Sequence, residues 1–152
     1  MSPIRGLFIA LIAAFISLSS IAQERGTKEE AKNMVNAALA HIKQVGNSAA
    51  FNDFSSGNGL WVNKDLYVSV LDNKGLVLAH GANQKLIGKV LIEFKDQNGK
   101  LFIQEMISVA NKGDGWVDYD FTNPVSKKVE GKSSYVKRIP NFDGFVFVGV
   151  YR

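Results

Sequence analysis

From Ala31 onward the apolar residues Ala31, Met34, Val35, Ala38, Leu39, Ile42 and Val45 recur at steps of three and four, the spacing of one helix face. Thr27-Lys28-Glu29-Glu30 sets a hydroxyl at the cap and a carboxylate three residues on, and Gly46-Asn47 supplies a stop. The pattern predicts a helix of roughly 18 residues. Ser48–Phe54 adds a short second helix with Ala50, Phe51 and Phe54 inward. After the loop Ser55–Gly59 the period changes to two. Leu66–Leu71 and Leu76–His80 read as strands joined into a hairpin by Asp72-Asn73-Lys74-Gly75. Alternation sets Tyr67, Ser69 and Leu71 on one face and Leu66, Val68 and Val70 on the other. The all-apolar face is expected against the long helix, and the mixed face is where a polar pocket belongs.

Gly81–Gly88 reads as loop, and Val90–Phe94 as a short helix or an extended segment. Asp96–Gly99 is a turn. Leu101–Asn111 carries Phe102, Met106, Val109 and Ala110 at helical spacing. Three strands then follow, Trp116–Phe121, Lys132–Ile139 and Phe145–Tyr151, with turns at Asn123-Pro124 and Pro140–Gly144. The last strand, Phe-Val-Phe-Val-Gly-Val-Tyr, is β-branched and aromatic almost throughout and is expected at the centre of the sheet. The order predicts an α+β domain: a five-stranded antiparallel sheet with the long helix on one face.

Composition narrows the class. The 152 residues, 46% hydrophobic and 21% charged, suit one globular domain. Residues 1–22 read as a secretory signal peptide, with Arg5 in the n-region, the apolar run Leu7–Leu18, and Ser20-Ile21-Ala22 before the cut. The expected product is a periplasmic or secreted domain, residues 23–152, cleaved near Ala22; an uncleaved anchor is the alternative. The net charge is +4, but Lys127, Lys128, Lys132, Lys137 and Arg138 are spread along the last hairpin. They read as a solvated basic edge rather than a nucleic-acid surface, with Lys127 and Lys128 as turn charges.

Without cysteine there are no disulfides, thiolate metal sites or thiol catalysis. His41 and His80 are too few for a zinc or iron centre. Gly131-Lys132-Ser133 looks like the tail of a phosphate loop, but the matching glycine position holds Ser126. Asp118 and Asp120 read as exposed strand carboxylates. No nucleophile–base arrangement is visible, so the expectation is a non-enzymatic protein with no cofactor. What remains is binding chemistry. Trp116–Phe121 carries three aromatics and two aspartates, and Lys132-Ser133-Ser134-Tyr135 brings a cation, two hydroxyls and a further ring. Aromatic walls and one cation suit a small anionic ligand.

The stretches KDLYVSVLDNKGLVLAHGANQKLIGK, KDQNGKLFIQEMISVANKGDGWVDYDFTNPVSKKVEGKSSYVKR and FDGFVFVGVYR resemble the single Cache domain. This is a small-molecule sensor module of bacterial extracytoplasmic receptors, and the likeness runs from about Lys28 to Arg152. It implies a PAS-like sheet with short helices over a ligand pocket. The ligands are commonly short carboxylates such as acetate, propionate, pyruvate or lactate. By the family pattern His80, Trp116, Tyr119, Lys132 and Tyr135 are ligand-binding residues, and strand parity adds Tyr67. The family often has proline after the histidine; here Gly81 loosens that loop. Such modules usually sit between membrane helices and feed a kinase or chemotaxis domain. The expectation here is a stand-alone exported sensor that signals through a separate membrane receptor or kinase, its oligomeric state open. The alternative is an interaction module that docks a membrane receptor and keeps only a vestigial pocket.

Overall fold

In the computed structural model, which describes residues 24–57 and 59–152, the capping box closes at both ends. The Thr27 hydroxyl accepts the Glu30 amide at 3.2 Å, and the Glu30 carboxylate accepts the Thr27 amide at 2.8 Å. It opens α1 (Lys28–Val45), whose Ala31, Val35, Ala38 and Ile42 are buried. Gly46, at φ 88°, turns the chain directly into α2 (Asn47–Ser55). The expected signal peptide and Gln23 lie outside the described residues. Among the described residues no helix is long and apolar enough to cross a membrane.

The hairpin after the loop differs from the reading. Two short strands, β1 (Val62–Asn63) and β2 (Leu66–Tyr67), pair with each other. The chain then continues as β3 (Ser69–Asp72) and β4 (Val77–His80). The expected strand Leu66–Leu71 is thus broken at Val68, whose amide bonds to the Trp61 carbonyl at 3.2 Å. Two-residue strands have no period to read, so only the pairing reveals them. Asp72 closes the β3–β4 turn by accepting the amides of Lys74 and Leu76. Val90 is extended, bridging Leu76, and the chain turns directly after it. The loop after β4 holds one tight helical turn, Gln84–Leu86.

The remaining elements are α3 (Phe102–Asn111), β5 (Asp114–Thr122), β6 (Val129–Arg138) and β7 (Gly144–Tyr151). The sheet order is β4-β3-β7-β6-β5, antiparallel throughout. Every residue of β7 is buried, as its central place requires. The sheet separates two cores. On one face α1 and α2 pack over Leu66, Val68, Val70, Val146 and Val148. On the other, α3 packs with Leu86, Leu91 and Ile92 over Leu71, Val136, Phe145 and Phe147. The apolar face of the first hairpin does meet the long helix. The pocket face is roofed by α3 and the tight turn, while α2 stands beside α1.

Candidate functional site

Lys132 lies on the face covered by α3, in one cross-strand row with Tyr119 of β5 and Tyr151 of β7. It is 1% exposed. Its stem crosses β7 at Gly149, the one position there without a side chain in the way: a Cβ on Gly149 would sit 2.1 Å from Lys132 Cε and 2.4 Å from Ser134 Oγ. Glycine in a buried central strand is otherwise unfavourable, and this crossing is its physical reason. Lys132 Nζ ends 2.7 Å from the Tyr67 hydroxyl, to which it donates. It stands over the rings of Tyr67, Tyr151 and Phe121 at 4.1, 4.7 and 5.5 Å.

Hydrogen-bond directions follow from counting protons. The Tyr151 hydroxyl donates to the Thr122 carbonyl at 2.9 Å, so it accepts from Tyr67 at 3.2 Å, and Tyr67 in turn accepts from Lys132. The chain runs one way, ammonium to phenol to phenol to carbonyl. Among the described residues no carboxylate is within ion-pair distance of Lys132. Burial without a counter-ion draws its pKa down to about 7, although the negative charge of Asp65 works in the opposite direction. Asp65 is itself buried in the β1–β2 turn, where Oδ1 accepts the Gly26 amide at 2.7 Å and Oδ2 has no partner. Burial also raises the pKa of Tyr67 well above the usual phenol value, so it stays protonated.

His80 closes β4, and its ring lies 5.0 Å from that of Tyr67. Its amide bonds to Ser55 Oγ at the end of α2, which fixes the strand end. Nδ1 accepts the amides of Ala82 and Asn83, at 3.3 and 2.9 Å. Burial, then the nearby Lys132 charge, pull its pKa down to about 3, so the ring is neutral. With Nδ1 an acceptor, the proton is on Nε2, which is left as a donor.

Tyr67, His80, Tyr119 and Lys132 therefore surround one cavity, with Leu71, Val77, Leu86, Leu91, Phe102, Ile103, Phe121 and Phe147 as its apolar wall. Its free space is about 20 Å³, room for about one water molecule. Tyr67, His80, Leu86 and Phe121 also line an outer cleft of about 400 Å³ with Ala82, Asn83, Thr122, Pro124 and Lys127. Lys127 thus stands at the mouth of the site, not in a remote turn. A larger groove, about 690 Å³, lies between the end of α1 and the β6–β7 turn, but no buried charge lines it.

Trp116 and Tyr135 do not reach this cavity. They are cross-strand partners on the opposite face, their rings 5.3 Å apart, beneath Lys28 and Lys32 of α1. Alternation is the reason: Tyr135 is three positions from Lys132, and Trp116 three from Tyr119, so each pair splits across the sheet. Phe102 and Phe121 are wall aromatics that the sequence did not assign to the site, and Tyr151, which bonds Tyr67 and lies under the Lys132 ammonium, is a supporting residue it also left out. Phe121 and Tyr151 share a face with Tyr119 and Lys132 by the same alternation and register.

The sequence model of the single Cache domain 2 family matches residues 11–152. The chain belongs to that family. Solved Cache-type structures share the fold. A methyl-accepting chemotaxis protein from Vibrio parahaemolyticus RIMD 2210633 superposes with a TM-score of 0.71 at 24% identity, covering 82% of this chain and 87% of its own. A periplasmic sensor domain of a chemotaxis protein gives 0.63 at 27% identity, covering 81% and 88%. A Cache chemosensory domain described for its carboxylic acid recognition gives 0.68 at 23% identity, covering 81% and 91%. Cache domains are extracytoplasmic sensor modules, and this chain is a Cache domain built on the same α+β plan.

Proposed function

We propose that this Cache domain is an exported, non-catalytic sensor that binds a small organic acid at Lys132 and passes the signal to a separate membrane receptor or kinase. The observation that carries the reading is Lys132 itself: a fully buried lysine with no counter-ion among the described residues, ringed by aromatics beside a neutral histidine donor. Burying an amine without an anion is costly, and a ligand carboxylate would supply the missing charge. Tyr67 orients the ammonium, His80 Nε2 offers a second donor, and the apolar wall takes a short carbon chain. The bound acids in this reading are of the size of acetate, propionate, pyruvate or lactate. The ceiling of about −1.5 kcal/mol per non-hydrogen atom puts an acetate-sized ligand in the micromolar range at best. Export rests on Arg5, Leu7–Leu18 and Ser20-Ile21-Ala22; N-terminal sequencing of the protein from cells tests cleavage after Ala22.

One observation favours a second reading. The free space holds about one water, so even acetate requires Leu86, Leu91 or α3 to move outward. A module with a vestigial pocket, docking a membrane receptor through its surface, would look the same. Thermal shift and calorimetry against two- to four-carbon acids separate the two. Stabilisation by one acid class, lost in Lys132→Met, supports the sensor. A silent panel with unchanged Lys132→Met behaviour supports docking.

A further inference from the structure

The one-way proton order at Lys132 also decides what its amine can do when uncharged. Tyr67 gives its proton to Tyr151, and Tyr151 gives its own to the Thr122 carbonyl. The Tyr67 oxygen can therefore only accept from Lys132 Nζ, at 2.7 Å. A free amine has two N–H bonds and one lone pair. One N–H serves Tyr67, and no group among the described residues donates to Nζ, so the lone pair is left unengaged. The surroundings favour that free amine. Lys132 is buried with no carboxylate in ion-pair range among the described residues. Tyr67, Tyr119 and Tyr151 are phenols kept protonated by burial, His80 is neutral, and α3 presents Phe102 and Ile103. The negative charge of Asp65 works the other way and is outweighed by burial. Desolvation in an apolar pocket is what makes a lysine amine a nucleophile near neutral pH. This one borders a cavity, and so does His80, whose Nε2–H is an unused donor for an oxygen that gains charge there.

We infer that the Lys132 amine captures short aldehydes covalently and reversibly, as an imine inside the cavity. The amine lone pair forms the C–N bond as the C=O π pair moves to oxygen. Both amine protons then leave with that oxygen as one water, and a C=N bond remains; nothing is oxidised or reduced. Charge selects the substrate class. The uncharged amine has no charge to offer a carboxylate, whereas an aldehyde and its imine are both neutral and suit the apolar wall. Acetaldehyde is also smaller than acetate by one oxygen, so it demands less outward movement around a free space of about 20 Å³. One side chain thus serves two ligand classes, the ammonium for an acid and the amine for an aldehyde. Capture of the aldehyde does not require that an acid binds.

The test is reductive trapping. Wild-type protein is held with dilute acetaldehyde and cyanoborohydride at pH 7, and its peptides are mapped by mass spectrometry for the ethyl group that reduction leaves on a lysine. The exposed Lys85 and Lys128 are controls within the same molecule. At pH 7 an ordinary lysine is free amine in only about one part in 2,500. Lys132 should therefore be labelled at least about tenfold faster than Lys85 or Lys128, even with slow entry to a buried site. In denaturant that excess should vanish, because it belongs to the folded cavity. Labelling of Lys132 no faster than the two controls overturns aldehyde capture, and so does an excess that survives unfolding. Calorimetry with short acids reports separately on the acid sensor. Acid binding without preferential labelling of Lys132 would sink aldehyde capture alone. Preferential labelling in a protein that ignores every acid would sink the acid sensor and leave aldehyde capture standing.

Discussion

Raising the pH should weaken acid binding, because the empty site holds Lys132 near its midpoint. With its pKa drawn down to about 7, the ammonium fraction of the free protein is about one-half at pH 7, one-eleventh at pH 8 and one-hundredth at pH 9. A carboxylate about 3 Å away, at an effective dielectric of about 20, favours the ammonium by roughly 5 kcal/mol, or about four pKa units. The bound form therefore stays protonated through about pH 10, and binding above pH 7 takes up a proton. The dissociation constant should be nearly flat from pH 5.5 to 6.5, rise about fivefold between pH 7 and 8, and approach about tenfold per unit above pH 8. The sign for folding is the opposite. Lys132 titrates lower in the folded state than its ordinary 10.5, so between pH 7 and 10.5 the unfolded chain holds more protons, and the empty protein gains stability as pH rises. Affinity and stability thus move in opposite directions over one window, which general alkaline damage would not produce. The assay is calorimetry at pH 6, 7, 8 and 9, repeated in buffers of different ionisation enthalpy. About 0.9 proton should be taken up per ligand at pH 8. Lys132→Met should bind about 30-fold or more weakly, with no such pH dependence. Wild-type affinity that stays level from pH 6 to 9, with no proton uptake, would refute the argument that this amine is the anion's partner.

Three other perturbations follow from the same geometry. Gly149→Ala places a methyl 2.1 Å from Lys132 Cε; it should cost about 1–3 kcal/mol of stability and remove detectable acid binding, as melting curves and calorimetry report. Trp116→Phe and Tyr135→Phe alter only the α1 face, so acid affinity should stay within about twofold even where melting drops; a tenfold loss in either would put those rings back in the site. His80 is neutral, its pKa down at about 3 against the usual 6.5, so the stability present above pH 6.5 should be lost as pH falls from 6.5 toward 3, and His80→Gln should flatten that part of the acid melting profile.

Much of this domain was legible in the chain. The capping box and the three- and four-residue spacing define α1, because those signals act within one turn. The run Phe145–Tyr151 announced a central strand, since only a strand buried on both faces tolerates such a sequence. Period-two alternation placed Tyr67 on the polar face of its hairpin, and it lies there. The same alternation, applied to Lys132 and Tyr135, separates them across the sheet; grouping Trp116 and Tyr135 with the pocket by family pattern set that parity aside.

Other features depend on residues far apart in the chain. The strands β1 and β2, two residues each, exist only through pairing. Lys132, by its neighbours, is one more lysine in a basic hairpin. Its burial is decided by the gap at Gly149, by Tyr67 65 residues away, and by the Tyr67–Tyr151 bond that spans 84 residues. The low pKa of His80 arises from burial and from that same lysine. Local sequence thus determined the elements, their faces and their order, because capping, turn chemistry and periodicity act over a few residues. The state of the charged centre was left to the tertiary structure, because desolvation depends on everything packed around a group and not on what precedes or follows it in the chain.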